Sequence, residues 1–127
     1  MFPTETDRTN LYEEFAGLLS WSEDGYRYSA SLTIGNGWLV HIRELLEALI
    51  QQSEIEGVRN PVITDAKCKY GRLSIFADYT TETMDDIIED FERRSISICE
   101  ICGAYDATPN PKSGWITSTC QLCSRRA

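Results

Sequence analysis

WLVHIRELLEALIQQSEIE, residues 38 to 56, carries the strongest periodicity in the chain. Trp38, Leu39, Ile42, Leu45, Leu46, Leu49 and Ile50 fall on one stripe of a 3.6-residue helix, and Arg43, Glu44, Glu47 and Gln51 fall opposite. The stripe predicts a central helix against which the rest of the fold packs. Gly57 is placed to end it in the left-handed conformation, with Pro61 just beyond the loop.

Downstream of this helix, VITDAKCK (62–69) and RLSIFADY (72–79) alternate with period two and are separated by Tyr70-Gly71. A two-residue link containing glycine reads as a tight hairpin. A further helix follows, with Met84, Ile87, Ile88 and Phe91 inward, a cap supplied by Thr80, Thr81 or Thr83, and carboxylates outward. Upstream, YRYSASLTI (26–34) reads as one half-buried strand with Tyr26, Tyr28, Ala30 and Leu32 sharing a face. NLYEEFAGLLS (10–20) reads as a short helix capped by Thr9 or Asn10, with Glu13 and Glu14 near its positive end. The expected fold class is α+β: a small antiparallel sheet of about three strands covered on one face by helices, with a C-terminal zinc ribbon.

The ribbon is read from CEICGAYDATPNPKSGWITSTCQLC, residues 99 to 123, in which two Cys-x-x-Cys pairs are separated by seventeen residues. Each pair presents two sulfurs from one tight loop, and two such loops close a tetrahedral site. Cys99, Cys102, Cys120 and Cys123 are the expected ligands of one structural Zn2+, because four protein sulfurs leave no position open for a substrate. Rubredoxin-like iron and a redox dithiol pair are the alternatives. Gly103 suits the positive φ that often follows such a turn. The prolines between the pairs mark a hairpin tip. Trp115 and Ile116 are expected to pack against the helix at 82–92, the alternative being an apolar contact offered to a partner.

At 127 residues with 42% hydrophobic and 25% charged residues, the chain is one domain's worth of material, divided as an acidic body over 1–98 and a ribbon over 99–127. The stretch MFPTETDRTN does not read as a secretion signal, no long apolar run is expected to span a membrane, and an odd number of cysteines, five, favours reduced thiols and metal over disulfides. The expected location is cytoplasmic. Net charge is −8, and residues 1–98 hold eighteen Asp and Glu against nine Lys and Arg. Such a body repels phosphate backbones and attracts basic proteins. Asp85, Asp86, Glu89 and Asp90, within ETMDDIIEDFE (82–92), form the acidic face suited to that contact. Helical spacing explains them as a solvated face, so a catalytic divalent metal is not expected there. The only histidine, His41, has no visible nucleophile beside it, and Cys68 reads as a buried spare thiol. GNGW (35–38) lacks the length and lysine of a phosphate loop and reads as a strand-to-helix turn.

GNGW, DAKCKYGRLSIFADY, ICEICGAYDA and GWITSTCQLC together resemble a group of short bacterial and prophage-encoded proteins of unassigned activity that carry a C-terminal zinc ribbon. The likeness covers roughly residues 34 to 124. It implies the α+β body, the ribbon and a setting in mobile elements or bacterial competition. The function expected from these readings is non-catalytic binding: an acidic inhibitor of the immunity or antitoxin kind, neutralising a basic toxin such as a nuclease, with Trp115 as an apolar anchor. The alternative is a phage or bacterial transcription adaptor whose ribbon touches nucleic acid.

Overall fold

The computed structural model describes residues 3–112 and 115–126. Its element order is α1 (Glu5–Glu14), α2 (Ala16–Leu19), β1 (Ser20–Glu23), β2 (Tyr26–Ser29), β3 (Ser31–Thr33), α3 (Leu39–Glu56), β4 (Val62–Lys69), β5 (Arg72–Asp78), α4 (Glu82–Arg94), β6 (Thr108–Lys112), β7 (Trp115–Thr119) and α5 (Gln121–Arg126). The class is α+β, with four cysteines gathered in the C-terminal region.

Three small sheets are present: the hairpin β1-β2, a three-stranded sheet in the order β3-β4-β5, and the hairpin β6-β7. The central sheet is mixed. β4 and β5 are antiparallel, as the Tyr70-Gly71 link requires, and both turn residues have positive φ, 55° and 77°. β3 instead runs parallel to β4, because the 18-residue helix α3 lies between them and returns the chain to the same end of the sheet.

The run at 26–34 forms two strands rather than one. The Ala30 N–H donates to Leu19 O at 2.7 Å, still in register with the β1-β2 hairpin, and from Ser31 onward the chain pairs with β4 instead. Tyr26 and Tyr28 are exposed while Ala30 and Leu32 are buried, so the four do not share one buried face. The first helix also begins earlier than its apolar spacing indicates. Thr4, not Thr9 or Asn10, caps it: its hydroxyl accepts from the Asp7 amide, and the Asp7 carboxylate accepts from the Thr4 amide at 2.7 Å. Glu13 and Glu14 therefore sit at its C-terminal end, and Glu14 instead ties α1 to α3 through Arg43 at 2.6 Å.

The core lies between one face of the central sheet and helices α1, α3 and α4, with Trp38, Leu45, Leu46, Leu49, Ala66, Leu73 and Met84 essentially dry. α3 ends at Gly57 and α4 begins at Thr81, whose hydroxyl accepts from the Met84 amide. Side chains seal both edges of the sheet. Arg8 donates to the carbonyls of Leu32 and Ile34 at 2.6 Å each, and the Tyr12 hydroxyl accepts from the Leu32 amide. On the far edge, the Leu73 and Ile75 amides donate to Ser95 Oγ and Glu92 Oε2, both at 2.8 Å. Both edges thus have backbone groups already engaged by side chains, which makes them poorer templates for a strand from another chain.

Candidate metal centre

Cys99 and Cys102 sit on the loop leaving α4, and Cys120 and Cys123 flank the start of α5 after β7. The hairpin β6-β7 brings the two loops together, pairing Thr108 with Thr119 and Pro111 with Ile116. The first loop closes on itself, with the Gly103 amide donating to Cys99 O at 2.9 Å and the Cys99 amide to Ala104 O at 2.8 Å. Gly103 has φ +86°, the conformation that its place after Cys102 calls for.

All four sulfurs lie within 4.8 Å of one another, and Cys102 Sγ is 3.6 Å from Cys120 Sγ. Tetrahedral Zn–S bonds of about 2.3 Å place sulfurs roughly 3.8 Å apart, so the donors have the spacing for one ion. No disulfide joins them. The electrostatics point the same way. Burial disfavours the Cys99 thiolate, but the amides of Cys102, Cys120 and Ile101 outweigh it and bring this thiol down to about 7. Cys102 and Cys123 are pushed up by burial, and Cys123 also by its sulfur neighbours. One thiol is poised to ionise while burial resists ionisation at Cys102 and Cys123, a balance that a dication reverses.

Among the described residues, the ribbon's own buried cluster holds, apart from the cysteines, only Ala107, with Ala104 packed against it. Its remaining support comes from the body. The Gly37 amide donates to Glu100 O at 2.8 Å, the Trp38 indole to Ile98 O at 2.8 Å, and Ser118 Oγ to Gly71 O. Glu100 is buried and accepts the Ser118 amide on Oε2 at 2.6 Å. Burial raises its pKa, against the Ser118 amide and the Cys68 thiol, which lower it. GNGW is thus a strand-to-helix turn with a second role: it receives the backbone of the first cysteine loop.

Cys68 is half-buried between β4 and the ribbon, close to Ile116 O and Glu100. Burial, then the Glu100 charge, pushes its thiol up to about 11, so it is a poor nucleophile. His41 is buried in the α3-α4 seam, where Phe91 O lies 2.6 Å from Nε2 and can only accept, so Nε2 carries the proton. Burial lowers its pKa, and it bridges two helices as a neutral ring.

The acidic residues separate into two groups. Asp85, Asp86 and Glu89 are exposed and form no ion pair among the described residues, whereas Asp90 is held by Arg93 and Arg94 of the same helix. Trp115 does not pack on α4. It is 63% exposed, while Ile116 turns inward beside Gly71. Adjacent residues of a strand face opposite ways, so only one of this pair can reach the body.

No helix among the described residues is long and apolar enough to cross a membrane. No protein-family model matches the chain, and neither a curated protein nor a solved structure does.

Proposed function

We propose that this chain is a non-catalytic binding protein, an acidic inhibitor of the immunity or antitoxin kind that docks on a basic protein such as a nuclease toxin. The observation that carries the reading is the set of unpaired carboxylates Asp85, Asp86 and Glu89 exposed along α4. Helix α3 adds a shallow groove of about 480 Å³ bearing Glu44 and Glu47. Asp90 serves as an intrahelical clamp for two arginines and contributes less to docking than its neighbours. In this reading the metal is a single Zn2+ with four thiolates, closed to substrate, and its role is to hold the ribbon rigid. The exposed Trp115 indole is an apolar anchor at the edge of the contact.

Exchanging Asp85, Asp86 and Glu89 together for lysine tests this placement. At low salt the association rate with the partner is expected to fall by about tenfold or more and to lose most of its salt dependence. The partner is the basic protein that the tagged wild type retains up to high salt and that the triple variant fails to retain. Equal retention by both proteins contradicts the docking face.

A further inference from the structure

The mixed sheet has helices on one face only, and its other face is chemically unlike the rest of the molecule. Register places Ser31, Thr33, Asp65, Lys67, Lys69, Arg72, Ser74 and Phe76 on that outer face. The face carries formal charge +2 on a chain of −8. Lys69 stands directly across from Arg72, a like-charge pair that costs the sheet stability. Arg72 reaches only a distant carboxylate, Glu92 at 3.9 Å, and neither Lys67 nor Lys69 forms an ion pair among the described residues. Phe76, 49% exposed, lies beside this row with the Lys67 ammonium 5.2 Å from its ring centroid. Tyr70, 75% exposed, stands at the hairpin tip. Lys69, Tyr70 and Arg72 also line a groove of about 400 Å³, together with Glu92 of α4.

The geometry points to this outer face as a binding surface for single-stranded nucleic acid, with Lys67, Lys69 and Arg72 on phosphates and Phe76 and Tyr70 stacking on bases. An open sheet with cations and aromatics side by side supplies both interactions that an unpaired strand needs, and an acidic peptide would use only the first. The chain's net charge does not forbid it. The exposed carboxylates Asp85, Asp86 and Glu89 lie on α4, which packs on the inner face of the sheet, and screening over a Debye length of about 8 Å at physiological ionic strength weakens their reach. Glu92 of the same helix does reach the row, 3.9 Å from Arg72. This inference is independent of the inhibitor reading, which uses α4.

The test is fluorescence anisotropy with the full metal-loaded chain and labelled 12-mers of mixed-sequence single-stranded RNA and DNA, with a poly-glutamate peptide as competitor. Binding is expected with a log–log salt slope of about −2, for three phosphate contacts on a single strand. Lys67→Ala with Lys69→Ala should weaken binding about tenfold at low salt and bring the slope to about −0.7. Phe76→Ala should weaken it about tenfold with the slope unchanged. Arg125→Ala, on the ribbon, should have no effect. All four side chains are solvent-exposed, and circular dichroism confirms that each variant is folded. Absence of binding at 20 mM salt, binding indifferent to the lysines and Phe76, loss on Arg125→Ala, or preference for poly-glutamate would each overturn the assignment.

Discussion

Excess chelator should unfold residues 99–123 while α1 to α4 keep their structure. The ribbon's buried cluster is four cysteines and two small alanines, which offers far too little apolar area to offset the conformational entropy of some twenty-five residues. Metal coordination contributes on the order of 10 kcal/mol in small thiolate sites, so it decides whether the segment folds. The body has a separate and larger core built on Trp38, Leu45, Leu46 and Met84, and that core does not include the cysteines. Amide signals of the ribbon should collapse to random-coil positions on metal removal and return when Zn2+ is restored. Rebinding should release protons, because thiols such as Cys102 and Cys123 are protonated without the ion. Ribbon signals that persist in excess chelator would contradict a metal-dependent fold.

The second large effect comes from a place with no charge and no side chain. A Cβ on Gly37 would lie 2.2 Å from Cys99 O and 2.5 Å from Glu100 C, and one on Gly35 would lie 2.2 Å from Glu100 O. These are backbone atoms, which cannot swing aside as a flexible side chain can. Gly37→Ala therefore forces the first cysteine loop off the body and breaks the hydrogen bond that the residue 37 amide donates to Glu100 O. The expected cost is about 3 kcal/mol, the upper end for overpacking. The metal should stay bound, since all four thiols are untouched, while hydrogen exchange at Glu100 and Ser118 accelerates. Gly17→Ala is the control. It meets nothing within 4 Å, lies in α2, and should be neutral or slightly stabilising. If Gly37→Ala matched Gly17→Ala in stability, the ribbon would not be docked as described.

Much of this was legible in the residues because it is local. The α3 stripe, the Tyr70-Gly71 turn, the acidic face of α4 and the four cysteine positions each follow from spacing within one segment. What was not legible depends on residues distant in sequence. Gly35 and Gly37 are small because a loop some sixty residues later lies across them, and no local pattern records that. Arg8 and Tyr12 look like surface residues of a short helix, yet they seal an exposed strand edge. The first turn of α1 contains no apolar residue, so periodicity was silent there, although the T-x-x-D cap at Thr4 and Asp7 was available as a signal. The parallel placement of β3 follows only from knowing that α3 is a crossover.

Charge shows the same distinction. A total of −8 describes the long-range field and not any particular face. Folding gathers Lys67, Lys69 and Arg72 on one side of the sheet and Asp85, Asp86 and Glu89 on a helix beyond it. Summation over the sequence conceals both faces, and pairing register resolves the first.

Whether a closed four-thiolate metal holds the ribbon is read by zinc K-edge X-ray absorption on the purified full chain, with metal content measured on the same sample. One zinc per chain and a single shell of four sulfurs at about 2.3 Å are expected. A nitrogen or oxygen scatterer in that shell, fewer than four sulfurs, or a metal-free protein whose ribbon is nonetheless folded would contradict a closed four-thiolate site that holds the ribbon.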